Sequence, residues 1–287
     1  MSEKTRIVVD RCPPVMNRIP LARRCRGLWT CLLIAMAMIA VPAARAAATF
    51  PMYVSSGSQS IVRVSSGGAV SPFATLPPNS QPVGLAFDGN GNIFAADFNT
   101  DQISKITPGS AVSLFATLPA GSCPDGLAFD GSGNLYAADG GTDQISRITS
   151  GGVVSLFATL PAGSFPNGLA FDSSGNLYAA DSNTYQISKI TSGGVVSLFA
   201  TLPADSFPNG LAFDASGNFY AADINTGQIS QISPDGLTVT PFATGISAPA
   251  FIAFAPVPEP SSAVLLAIGS LALLRRRARR NNVEAAK

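Results

Sequence analysis

The chain of 287 residues contains no histidine and a single tryptophan, and only 12% of its residues are charged. Without imidazole there is no Ser-His-Asp or Cys-His nucleophilic machinery, no His-ligated zinc and no imidazole acid–base step. Glutamate is nearly as scarce. Glu3, Glu259 and Glu284 are the full set, so residues 49–256 have none. The few charges are also segregated. Residues 1–48 hold eight Lys/Arg against two acids (+6), residues 49–256 hold four against thirteen Asp (−9), and residues 257–287 hold six against two (+4). An acidic centre argues against nucleic acid as a partner, because phosphate binding needs clustered Lys/Arg. At 46% hydrophobic the chain is too apolar for intrinsic disorder.

The basic front, residues 1–46, reads as a secretory signal with an extended n-region. Arg18, Arg23, Arg24 and Arg26 precede an apolar run from Cys31 to Val41. Ala44 and Ala46 then flank Arg45 in the A-x-A cleavage pattern, which places the mature start near Ala47. The alternative, an uncleaved anchor, is disfavoured by the shortness of the apolar run. Of Cys12, Cys25, Cys31 and Cys123, cleavage leaves Cys123 alone. A lone thiol forms no internal disulfide, so the exported domain must be held by its core.

At the other end, residues 257–280 join Pro258-Glu259-Pro260, an apolar stretch Ala263–Leu274 and the basic cluster that includes Arg275, Arg276 and Arg277. A polar tail, 281–287, follows. These three parts in this order resemble the PEP-CTERM sorting signal of exported bacterial proteins. The resemblance implies an exosortase-type transpeptidase acting at the Pro-Glu-Pro tripeptide, a short transmembrane helix as membrane anchor, and a cell-surface or extracellular destination. Arginines beyond an apolar helix stay on the cytoplasmic side, which leaves the preceding residues outside. The apolar stretch has 12 residues, against about 20 for a full span, so flanking residues must enter the interface.

Residues 47–256 repeat with a period of 42. Gly84, Gly126, Gly168 and Gly210 each open the phrase G-L-A-F-D, and Asp97, Asp139, Asp181 and Asp223 each close a second phrase. A third phrase, I-S-K-I or a variant, and a fourth, V-S-L-F-A-T-L, complete the unit. Each is four to seven residues long, β-branched or aromatic, and fenced by Gly, Asn, Ser or Pro, which is strand-and-turn chemistry. Four strands in 42 residues leave no room for helices. The fold class expected is all-β, a β-propeller of four-stranded blades packed face to face around an axis. Four full units begin at the four glycines. Residues 51–76 match phrases two to four, and 251–254 match phrase one shifted by one residue. A fifth, composite blade built from both ends therefore closes the ring, and the 208 residues of 49–256 agree with five units of 42, or 210.

The phrase P-N-G-L-A-F-D-x-S-G-N-L-Y-A-A-D resembles the NHL and SMP-30/gluconolactonase-like propeller superfamily. The resemblance implies the fold more firmly than any activity, since propellers host enzymes and passive binding platforms alike. Lactonase relatives hold a divalent cation with a Glu, Asn and Asp set, and this middle segment has no Glu. The lyase acting on streptogramin-type antibiotics is also similar in fold but relies on His, which this chain lacks. Asp97, Asp139, Asp181 and Asp223 form a candidate Ca²⁺ ring on one rim, since oxygen-only ligands suit Ca²⁺. The competing reading makes each of them a loop cap accepting backbone N–H bonds. Asp88, Asp130, Asp172 and Asp214 read as hairpin caps. Arg63, Lys105, Arg147 and Lys189, one per unit, read as a solvated outer face. The expected role is an exported, non-catalytic binding or structural module without cofactor, with exopolysaccharide or another surface polymer as partner. The alternative is a Ca²⁺-dependent lactonase-type hydrolase.

Overall fold

The computed structural model describes residues 52–56, 59–65, 67–250 and 252. The signal segment, the sorting segment and most of 251–254 lie outside the described residues. Every regular element among those described is a strand. A three-stranded sheet comes first, with β1 (Met52–Ser55), β2 (Ser60–Val64) and β3 (Val70–Thr75). Four four-stranded antiparallel sheets follow. The first holds β4 (Pro82–Phe87), β5 (Ile93–Asp97), β6 (Gln102–Ile106) and β7 (Val112–Thr117). The second holds β8 (Pro124–Phe129), β9 (Leu135–Asp139), β10 (Gln144–Ile148) and β11 (Val154–Thr159). The third holds β12 (Pro166–Phe171), β13 (Leu177–Asp181), β14 (Gln186–Ile190) and β15 (Val196–Thr201). The last holds β16 (Pro208–Phe213), β17 (Phe219–Asp223), β18 (Gln228–Ile232) and β19 (Val239–Thr244). The five sheets are the blades of a five-bladed propeller, as the repeat predicts.

Each hairpin between the first two strands of a blade is built by one Asp. Asp130 Oδ1 accepts from the backbone N–H groups of Ser132 and Asn134 at 2.9 Å, and Oδ2 accepts from Asn134 Nδ2 at 2.8 Å. Gly133 supplies the positive φ, 81°, that the tight turn needs. The same bonds recur at Asp88, Asp172 and Asp214. Burial raises the pKa of Asp88, Asp130 and Asp172, but the Asn side-chain and backbone donors outweigh it and hold these carboxyls below the usual range.

Successive side chains of a strand point to opposite faces of its sheet, and here both faces are covered by a neighbouring blade. Leu135 and Ala137 of β9 pack with Phe94, Ala96, Ile103, Ala116 and Leu118 of the preceding blade. Tyr136 and Ala138 of the same strand pack with Leu169, Leu177, Ala179 and Ile190 of the following one. That double burial explains why the second phrase is apolar throughout rather than alternating. Ring contacts tie the blades together: Tyr136 meets Phe157 at 4.9 Å and Phe171, across the blade boundary, at 5.1 Å, both edge-to-face. Leu135 is fully buried, and truncation to Ala at such a site costs about 2–5 kcal/mol.

The first strands β4, β8, β12 and β16 are neighbours around the axis. They converge so closely that a Cβ on Gly126 would collide with the carbonyl of Asn167, and one on Gly84 with that of Asp125. The glycine that opens each phrase is therefore set by strand approach at the axis. These glycines and the leucines after them line a narrow channel of about 140 Å³, and Ile252 joins them. Ile252 is thus at the channel beside the four first strands, where the sequence reading puts the residue that completes the ring.

Candidate functional site

The four repeated aspartates end the second strand of their blades and are closed to solvent. Asp97, Asp139, Asp181 and Asp223 are 0–1% exposed. Each Oδ2 accepts a hydroxyl proton from the third strand: Ser104, Ser146 and Ser188 donate at 2.6 Å, and Ser230 makes the equivalent bond. Each Oδ1 is buried without a partner. Desolvation by burial pushes Asp97 up to about 6 and Asp139 and Asp181 up to about 7, with the serine bond offsetting part of the rise. Asp223 is raised for the same reason. A carboxyl titrating near neutrality has the proton affinity of a general acid or base, yet these groups have no solvent-exposed face on which to meet a substrate.

The structure does not gather the four. They lie on four separate blades, and among the described residues no three acidic or cysteine side chains group closely enough to hold one metal ion. Backbone capping, the competing expectation, falls to different residues. Asp101, in the left-handed region at φ 54°, accepts from the N–H groups of Gly121 and Cys123 at 2.8 Å. Asp143 does the same for Gly163 at 2.7 Å and Phe165 at 2.8 Å. These bonds fasten the loop entering each following blade.

A second set of orphaned oxygens sits on the channel strands, immediately before the glycines at the axis. Asp125, Asn167 and Asn209 are 2–8% exposed, and each keeps an unpartnered Oδ1. Burial raises Asp125 to about 6. Asn167 Nδ2 donates to Ser182 Oγ at 2.6 Å, and that hydroxyl donates onward to the Pro208 carbonyl at 2.5 Å, linking two blades. Sequence reasoning misses Asn167, Asn209 and the four serines. The signal for the serines is the constant Ser seven residues after each Asp, and for the two asparagines the position directly before the Gly that opens the phrase.

Cys123 is half-buried at φ 47°, as are its counterparts Phe165 and Phe207 at 50° and 53°. Burial, with the Asp101 charge, pushes its thiol up, which leaves it a poor nucleophile. Tyr136, Tyr178 and Tyr220 are buried in the blades. Arg63 and Arg147 are exposed, as expected of an outer face, and Lys105 and Lys189 are half-buried. Their ammonium groups sit 5.5 Å from the ring centroids of Phe94 and Tyr178. The sorting residues Pro258, Glu259, Pro260, Arg275, Arg276 and Arg277, and the cleavage residues Ala44 and Ala46, lie outside the described residues.

Comparison with known proteins places this geometry. The family model for the virginiamycin B lyase family matches residues 38–262, and the PEP-CTERM protein-sorting motif matches residues 256–280. No curated protein sequence matches. Among solved structures, the selenomethionine-substituted virginiamycin B lyase of Staphylococcus aureus is 21% identical with a TM-score of 0.62, covering 71% of this chain and 70% of that one. A streptogramin B lyase is 23% identical with a TM-score of 0.61, over 71% and 72%. A nidogen/laminin complex chain is 22% identical with a TM-score of 0.62, over 72% and 82%. The structural likeness establishes the fold alone. The family match spans most of the sequence and the entire described propeller, and the chain therefore belongs to the virginiamycin B lyase family.

Proposed function

We propose that this exported propeller is a non-catalytic binding or structural module of the cell surface, brought there through exosortase-type processing at Pro258-Glu259-Pro260. Its partner is then an exopolysaccharide or another surface polymer. One observation carries the reading: a family-member propeller with no histidine anywhere in the chain. A His-to-Ala variant of the S. aureus lyase, solved with quinupristin, is described as catalytically inactive. The chain thus lacks the residue type whose loss inactivates that relative. The repeated carboxyls, the other candidate acid–base groups, are shut inside blades on their serine partners. Near-identical repetition supports the same reading, since a reaction centre needs different groups converging on one point. The test is incubation of the purified full chain with quinupristin, followed by mass spectrometry. Intact quinupristin after prolonged incubation is expected; turnover proportional to protein concentration would overturn the reading.

A further inference from the structure

Two clefts open between blades, at places related by the repeat. The first, about 410 Å³, lies between the blades of β4–β7 and β8–β11 and is lined by Asp88, Phe94, Lys105, Phe115, Phe129 and Asp130. The second, about 440 Å³, lies between the blades of β12–β15 and β16–β19 and is lined by Asp172, Tyr178, Lys189, Phe199, Phe213 and Asp214. Each residue of the second set stands 84 positions, two repeat units, beyond its counterpart in the first. The intervening blade boundary carries the same kinds of residue one unit along, with Arg147 in the lysine position and Tyr136 edge-to-face with Phe157 and Phe171.

The composition of each cleft selects a ligand chemistry. Half-buried aromatic rings from the fourth strand and the next blade's first strand provide apolar surface over the buried second-strand ring; Phe94 meets Phe115 at 4.7 Å and Phe129 at 5.2 Å. One ammonium lies over the second-strand ring, and Lys105 and Lys189 form no ion pair among the described residues. An ammonium carries three donors, so it retains protons for a bound acceptor. Asp88 accepts three bonds from its own hairpin, and a carboxylate has about four acceptor sites. One site is left at Asp88, whereas Asp130, Asp172 and Asp214 each take a fourth bond, from the hydroxyls of Tyr136, Tyr178 and Tyr220. A ligand with an apolar face and hydroxyl acceptors at its edge fits both clefts, and the first cleft also takes one hydroxyl donor. Two carboxylates against one ammonium repel an anionic ligand, as does the −9 balance of residues 49–256.

We propose that the inter-blade clefts are glycan subsites, each taking a ring of a neutral hexose polymer, with Lys105 and Lys189 donating to ring hydroxyls. The proposal rests on the binding-module reading and supplies its ligand class. Repetition has a consequence for affinity. A polymer that engages more than one cleft gains effective concentration at the second, so long chains bind more tightly than short oligosaccharides.

The test is affinity electrophoresis of the full chain through native gels containing dextran, hydroxyethylcellulose or alginate. Retardation by a neutral polymer, and not by alginate, is expected. The double variant Lys105→Ala/Lys189→Ala, with an unchanged melting curve, should bind about tenfold more weakly, because a hydrogen bond from a charged donor is lost at each cleft. Retardation of parent and variant to the same extent would remove the clefts while leaving a binding module. Absence of retardation in both neutral polymers, or stronger retardation in alginate, would overturn the ligand class. Turnover of quinupristin, a separate measurement, would instead remove the reading on which the proposal rests.

Discussion

Ser104 Oγ donates to Asp97 Oδ2 at 2.6 Å, from a strand position directly opposite Ala95. The two residues share one face of the blade as a diagonal cross-strand pair. The register recurs as Ser146 with Asp139 and Ser188 with Asp181. What looks in sequence like a rim of ligands is an internal polar clasp between second and third strands.

The clasp predicts an unusual pH profile. Asp139 and Asp181 have folded-state values of about 7, and Asp97 and Asp125 of about 6, all above the ordinary 3.8. The folded state therefore binds more protons than the unfolded chain between about pH 4 and 7, and stability rises as pH falls through that window. Asp101 faces Asp139 and Asp143 faces Asp181, and both acids work in the same direction. Below about pH 4 the sense reverses, because the hairpin carboxyls Asp88, Asp130 and Asp172 are held low and lose their bonds on protonation. Tm measured from pH 8 to pH 3 should peak near pH 4–5, and Asp139→Asn should flatten the limb between pH 8 and 5. An unchanged limb in the variant would contradict the burial of that carboxylate.

Gly126→Ala should be costly, because its Cβ meets the Asn167 carbonyl across the axis. Overpacking of this kind costs about 1–3 kcal/mol, and for a domain of this size each kcal/mol lowers Tm by about 2–4 °C. Gly131→Ala, in open space on a hairpin, should stay within about 0.5 kcal/mol of the parent. Equal melting temperatures for the two variants would remove the argument for close strand approach.

Sorting is tested at the tripeptide. Pro258→Ala with Pro260→Ala should leave an unprocessed, membrane-retained form, visible as a larger band in the membrane fraction. Identical processing of variant and parent would remove these prolines from the recognition step.

Calcium separates the binding module from the hydrolase alternative. A cation bound at a hundredfold excess over its Kd adds about 2.7 kcal/mol of stability. Millimolar Ca²⁺ should leave Tm unchanged, since each repeated carboxyl is already clasped by serine on its own blade. A rise of several degrees would put a cation on the orphaned oxygens.

Much of this was legible in the sequence because repetition does what an alignment would. The period of 42 marks every strand of the four full blades, and Asp130 with Gly133 and Asn134 writes out its own hairpin within five residues. Local chemistry is readable locally. The Asp–Ser clasp was not read, because Ser104 is seven positions from Asp97 and meets it only once the strand register is known. The clefts were hidden for a similar reason: Phe115 and Phe129 face one ligand-sized space only when two blades are packed. Lys105, read alone, resembles any outer-strand cation. Its place over Phe94 follows from the strand register, which sets the two directly opposite each other within one blade.

Ring closure is tested most directly by thermal unfolding of two truncated chains, one ending after Pro256 and one after Ala250. The first keeps the segment that matches a first strand; the second removes it and leaves the inner edge of the β1–β3 blade bare. Closure predicts a cooperative transition at the parent Tm for the longer form and a lower, broader transition for the shorter one. The same Tm and cooperativity in both would mean that residues 251–256 do not complete the fifth blade.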